Sequence, residues 1–263
     1  MSRSPRSVLA AIVPPLVFGV GFLLIWETAV KVFDFQPYFL PAPSAIWTAF
    51  RDNTALIWEA TKVSGLNAFV GLAVGTALGV SMSFVLARFR MLNDLITPVS
   101  IGLNAVPIFV LVALFNNMYP VTSEVPRRLM VTLVIYFIVL VNVARGLREV
   151  GAIQLELMRS YAASDVAILR KVRVPNAVPY LFTALRIAAP ASVITAFVSE
   201  YFGGSQNGLG SRIVGNIALS NNAEAWAYVL GACLLGLTFY LVALALERVV
   251  TPGGVSARER VGA

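Results

Sequence analysis

Histidine is absent from all 263 residues, and cysteine occurs once, at Cys233. The first absence removes the commonest general base and the commonest metal ligand together. The second excludes an intrachain disulfide, and the apolar run around Cys233 predicts a buried structural thiol. No cluster of Cys, Asp and Glu has metal-ligand spacing, and no G-x-x-x-x-G-K-[ST] phosphate cradle occurs, so this chain handles no nucleotide itself. Charge is scarce as well. Only 13% of the residues are Asp, Glu, Lys or Arg, against about 25% in a soluble domain. Too little polar surface remains to keep such a chain in water.

What is present is apolar, at 58% hydrophobic residues. A spanning helix needs about 20 mostly apolar residues. Six stretches qualify: roughly 8–30, 63–87, 96–115, 128–145, 180–199 and 224–247. The first is too long for a signal-peptide core and is closed by no A-x-A-like site, which predicts an uncleaved helix. Gly71, Gly75 and Gly79 recur every four residues in the second stretch, a spacing that lets helices approach closely in lipid. The expected fold is therefore an all-α integral membrane protein, a single domain over 1–263, without internal repeats.

The net charge of +7 is unevenly placed. With the N-terminus inside, fourteen Lys and Arg residues fall in cytoplasmic segments, from Arg3 to Arg260, and six fall outside, from Lys31 to Arg212. That asymmetry predicts both termini in the cytoplasm. Outside lie three polar or aromatic segments: 34–58, with Trp47 and Trp58; "NNMYPVTSEVPRR" at 116–128; and a Gly/Asn-rich loop at 200–225, with room for a re-entrant turn or short helix.

One cytoplasmic segment stands apart. "ELMRSYAASDVAILRKVRVPNAVP" (156–179) carries Arg159, Arg170, Lys171 and Arg173 beside Glu156 and Asp165. An apolar stripe of Leu155, Met158, Ala162, Val166, Leu169 and Val172 predicts one amphipathic helix. Val174 and Pro175 are expected to end it at a sharp corner, and Asn176 to cap the following span. From the residues alone, this is a helix lying on lipid headgroups or a docking surface for another protein.

Polar residues within the spans were weighed individually. Asn67 reads as a helix–helix hydrogen-bonding residue, while Asn104 and Asn142 read as part of a translocation path. Glu200, after Ser199, either lines an outer gate or ends its helix in water. Glu27 and Lys31 form an i,i+4 pair, and Arg186 is long enough to reach the cytoplasmic surface or a carboxylate.

The corner at Val174–Pro175 carries a family resemblance. The segment resembles the cytoplasmic loop of permease subunits of type I binding-protein-dependent ABC importers, whose signature is Glu-Ala-Ala, three residues, Gly, then an apolar stretch ending in Leu-Pro. Counting back from Pro175 places the family's glutamate on Glu156 and its glycine on Ala162. Leu157 and Met158 stand where the alanines would be, and Val174 where the leucine would be. "VPNAVPYLFTALRIA", "LLIWETAVKVFDFQPYFLPAPSAIWTAF" and "VSEYFGGSQNGLGSRI" resemble the subgroup that includes nitrate, sulfonate and taurine importers. The 116–128 loop is longer and more polar than in that subgroup.

The resemblance implies six transmembrane helices with a coupling helix at about 152–175, docked in a groove of an ATPase subunit. Leu155, Met158 and Leu169 would enter the groove. Glu156, Arg159, Ala162, Ser164, Val174 and Pro175 complete the coupling set, and Asn104, Asn142, Ser199 and Glu200 the path. It further implies two ATPase subunits, a second permease chain and an extracytoplasmic binding protein, in a bacterial inner membrane. ATP and magnesium would bind the partners and no cofactor this chain. The alternatives are an ATP-independent transporter or channel and a membrane-embedded enzyme. Absent histidine and unpaired span carboxylates oppose the enzyme, and absent inverted similarity opposes the transporter.

Overall fold

The computed structural model describes residues 5–89 and 106–250, with side chains from residue 13 onward. Every regular element in these residues is helical. The helices are α1 (Pro5–Val32), α2 (Pro43–Asp52), α3 (Thr54–Arg88), α4 (Ile108–Met118), α5 (Val125–Arg148), α6 (Ala152–Ser160), α7 (Asp165–Ile168), α8 (Val174–Tyr201), α9 (Leu209–Ala218) and α10 (Asn222–Val250). Among the described residues five helical stretches are long and apolar enough to cross a membrane: within α1, then α3, α5, Asp165–Tyr201 and α10. Of the span expected at 96–115, only α4 is described, and it is shorter than a crossing requires. Its remainder, including Asn104, lies outside the described residues.

α5 is the centre of the bundle, with α3 on one side and α8 on the other. Val131, Ile135, Val139, Val143 and Leu147 line one face of α5 and are all buried, together with Ala184, Ala188, Val193 and Ala196 of α8. Lipid tails are as apolar as these side chains, so association depends on close packing rather than on escape from water. The glycines of α3 provide it. A Cβ on Gly71 would lie 2.4 Å from Val131 Cβ, one on Gly75 2.7 Å from the Thr132 carbonyl, and one on Gly79 2.9 Å from the Tyr136 carbonyl. The four-residue glycine spacing is thus the footprint of α5 on α3.

Short outer elements close one end. Glu27 pairs with Lys31 at 2.8 Å, as expected, and also accepts from the Ser44 backbone N–H and hydroxyl at the start of α2. The Gly/Asn-rich loop contains a short helix, α9. Ile57 and Ala60 of α3, Leu209 and Ile213 of α9, and Ala225, Ala227 and Tyr228 of α10 bury one another there.

Three expectations are corrected. The amphipathic stretch is not one helix with a corner at Val174–Pro175. It breaks at Tyr161–Ser164, where Ala162 has a φ of 51°. Helix resumes with Ser164 accepting from the Ala167 N–H as N-cap, passes through a π-helical turn at Leu169–Arg173, and runs into α8 without a corner. The wider turn, in which the Val174 N–H reaches the Leu169 carbonyl, admits Pro175 where a regular helix would lack a donor and suffer a ring clash. Val174 therefore stays helical. Asn176 does not cap α8: its amide donates to the carbonyls of Gly146 (2.7 Å) and Glu149 (2.9 Å), closing the C-terminal end of α5. Cys233 is exposed on α10 rather than buried, because it lines an open groove between α10, α1 and α2 with Leu23, Trp26 and Trp47.

Candidate functional site

At the end of the bundle that carries α6 and α7, α8 is fastened to α5. Besides the Asn176 bonds, Tyr180 donates to Glu149 at 2.8 Å, Arg145 donates to the same carboxylate at 2.6 Å, and a Cβ on Gly146 would lie 2.7 Å from the Tyr180 ring. Arg186 reaches Glu247 of α10 at 3.4 Å. α6 is different: it buries no residue. Leu155 and Met158 are half-buried, as are Leu169 and Val174; Glu156, Arg159, Ala162, Ser164 and Pro175 are exposed. Bare apolar surface comes instead from Ile153 (81% exposed), Leu157 (54%), Tyr161 (76%) and Val166 (73%). Sequence reasoning missed this face by following the 155–158–162 stripe through a break that splits it. The i,i+4 spacing of 153, 157 and 161 was the available signal.

Ala162 explains a feature of the family signature. A left-handed backbone suits glycine and strains any residue with a Cβ. The position that aligns with the signature glycine is the one with positive φ.

At the opposite end, expected from the sequence to lie outside, side chains expected to meet water are turned inward. Arg127 is fully buried; it donates to Glu124 Oε2 at 2.7 Å and Asn207 Oδ1 at 3.0 Å, and also to the Ser205 carbonyl. Asn67 is buried between helices, donating to Glu124 at 2.8 Å and accepting from Arg128 at 3.0 Å, the bridging role its sequence context suggested. Burial pushes the Glu124 carboxyl up, but the Asn207 amide, Arg127 and Asn67 outweigh it and hold the group below its ordinary value. This polar stretch of 116–128 thus stitches α3, α5 and the 203–208 loop together.

Glu200, left open between a gate and a solvated helix end, is buried. Its Oε2 accepts from Ser64 Oγ at 2.7 Å and from the Gly210 N–H at 3.0 Å. Ser199 is buried beside it. Asn142 is half-buried and donates to the Ile138 carbonyl of its own helix at 2.7 Å, so its amide bridges no helices. Among the described residues no group of three His, Cys, Asp or Glu side chains could hold a metal ion. The described residues form a packed bundle with one bare apolar helix at one end and a buried polar lattice at the other.

Comparison with known proteins gives this arrangement a context. Residues 75–253 match the family model described as binding-protein-dependent transport system inner membrane component. A probable ABC transporter permease protein of Haemophilus influenzae is 31% identical over 76% of this chain and 81% of its own length. A formylaminopyrimidine transport permease protein of Halalkalibacterium halodurans is 25% identical over 90% and 94%. A putative aliphatic sulfonates transport permease protein of Escherichia coli is 26% identical over 72% of each chain. In fold, the chain superposes on an inward-facing structure of the MetNI methionine ABC transporter with a TM-score of 0.58 and 22% identity, covering 76% of this chain and 94% of that one.

Proposed function

Because the chain belongs to the inner membrane components of binding-protein-dependent transport systems and is the permease subunit of an ABC importer for small solutes, we propose that its α6–α7 segment is the surface on which the ATPase docks. ATP hydrolysis belongs to a separate subunit of such a transporter, and a binding protein completes it. The finer assembly we infer has two ATPase subunits, which carry ATP and magnesium, and a second permease chain across the pathway. Six spans with both ends in the cytoplasm are supported by the basic-residue asymmetry and the five long apolar helices.

The observation that carries the docking reading is the helix that buries nothing. Ile153, Leu157, Tyr161 and Val166 offer exposed apolar surface, and exposed Glu156 and Arg170 supply charge in the same segment, a combination common in protein interfaces. By helical spacing Met158 lies at the margin of this face and Leu155 on the opposite side of α6, and both are half-buried. The segment resumes at Asp165 and runs unbroken into α8, so force applied there enters a membrane span directly. The solute we infer is a small organic molecule of the kind handled by the sulfonate and formylaminopyrimidine permeases, chosen chiefly by the binding protein. Purification from native membranes followed by native mass spectrometry tests the assembly. The expected particle contains two ATPase chains and two permease chains. A chain that purifies alone, with no ATPase under any detergent, would refute the reading.

A further inference from the structure

We infer that Glu200 is a positioning residue for transport: with Ser64 it clasps the start of α9 to the far end of α8, so that motion entering α8 at the cytoplasmic segment leaves through α9. The inference rests on the docking reading for where the motion begins; the clasp itself rests on geometry at the other end of the molecule.

The helical stretch Asp165–Tyr201 has 37 residues. At about 1.5 Å per residue it is a rod of roughly 55 Å, long enough to reach from one membrane face to the other. Glu200 is at its outer tip and 1% exposed. Its Oε2 accepts from Ser64 on α3 and from the Gly210 N–H on α9, and Ser64 Oγ in turn accepts from the Leu209 N–H at 2.9 Å. The N–H groups of Leu209 and Gly210 belong to the first turn of α9, which has no intrahelical acceptor for them. A carboxylate and a hydroxyl supply those acceptors, and the carboxylate also faces the positive end of the α9 dipole.

The fit is close on every side. A Cβ on Gly208 would lie 2.2 Å from Glu200 Cδ, and one on Gly210 2.3 Å from the Phe197 carbonyl of α8. Gly-Leu-Gly at 208–210 is therefore the shape that the end of α8 demands of α9. Arg127 holds the intervening loop from the α5 side, through Ser205 and Asn207. The start of α9 is thus tied to the tip of α8 through Glu200 and to α3 through Ser64, while its apolar face packs on α3 and α10.

The clasp requires hydrogen-bond acceptance rather than charge, which separates it from a role in attracting a charged solute. The test uses the transporter assembled with its ATPase, Cys233 replaced by serine, and a single reporter Ser220→Cys in the exposed turn after α9. An impermeant maleimide measures the labelling rate at position 220 with and without magnesium ATP and vanadate, and ATPase co-purification is scored on the same samples. In the parent, vanadate trapping should change the rate at least threefold. Glu200→Ala and Ser64→Ala should each abolish most of that change while the ATPase stays bound, and Glu200→Gln, which keeps the acceptor, should restore it. Ser64→Ala removes the hydroxyl without opening the helix packing, so it reads the clasp even where Glu200→Ala does not assemble. A parent without a response, Ser64→Ala responding like the parent, or Glu200→Gln failing as badly as Glu200→Ala would each overturn the inference. Loss of the ATPase from Ser64→Ala would also overturn it, by making the clasp a determinant of folding. Loss of the ATPase from variants of α6 alone bears on the docking reading and leaves the clasp untouched.

Discussion

At the end closed by α9, Arg127, Glu200, Ser64 and Asn67 are all buried and bonded across four helices; at the other end, α6 buries nothing and exposes three large apolar side chains on nine residues and the turn that follows. The same chain thus spends its rare charges inside one end and its abundant apolar groups outside the other. Each choice is costly in isolation. Buried charge requires complete pairing, and bare apolar surface invites association. The first end finds most of its partners within the chain, whereas we propose that the second is finished by another protein.

The contrast can be broken first at Arg127. Arg127→Ala would leave Glu124, Asn207 and the Ser205 carbonyl without their shared donor, a loss of about 3–5 kcal/mol for a buried pair. Thermal unfolding of the purified complex should drop by many degrees, while the equivalent loss of charge at exposed Arg159 should leave it unchanged. Helix approach comes next. Gly75→Val forces a branched side chain against the Thr132 carbonyl and Ile135, at about 1–3 kcal/mol, and should reduce the yield of folded protein.

Acid should weaken the buried lattice through Glu124. Glu124 is held below its ordinary value of 4.5 in the folded chain, so its contribution is fully present above that value. The contribution is lost as the pH falls below 4.5 and through the lowered folded value. Glu124→Gln should start less stable at neutral pH and show a flatter decline between pH 5 and 3, measured by thermal unfolding across that range. The smallest effect is at Ala162. Ala162→Gly relieves a left-handed Cβ and should stabilise the segment by up to about 1 kcal/mol, and Ala162→Val should do the opposite. Proteolysis at the 161–164 turn would report both.

Much of this was legible in sequence because lipid imposes simple demands. Apolar length located the five spans found among the described residues, and the spacing of Gly71, Gly75 and Gly79 marked a close helix contact without naming its partner. The cytoplasmic segment was found by its charges, but its shape was misjudged. An apolar stripe assumes an unbroken 3.6-residue period, and a left-handed residue at Ala162 resets that period without any glycine or proline to announce it. Pro175 misled in the opposite direction, since a π-helical turn accommodates it. The outer lattice was hidden for a different reason. Arg127 and Glu200 look like ordinary helix-end charges until the 203–208 loop folds over them; Asn207 is 80 residues from Arg127 in sequence and Ser64 is 136 from Glu200.

The central claim is that the bare face of α6 is completed by the ATPase. Leu157→Asp places a charge at its centre without touching the bundle, because Leu157 is exposed in the chain alone. With Met158→Asp at the margin as comparison, the amount of ATPase retained per permease after affinity purification decides the matter. The account predicts at least a tenfold loss for Leu157→Asp and a smaller loss for Met158→Asp, with thermal stability of the membrane part unchanged in the first. Full retention of the ATPase by Leu157→Asp would contradict it.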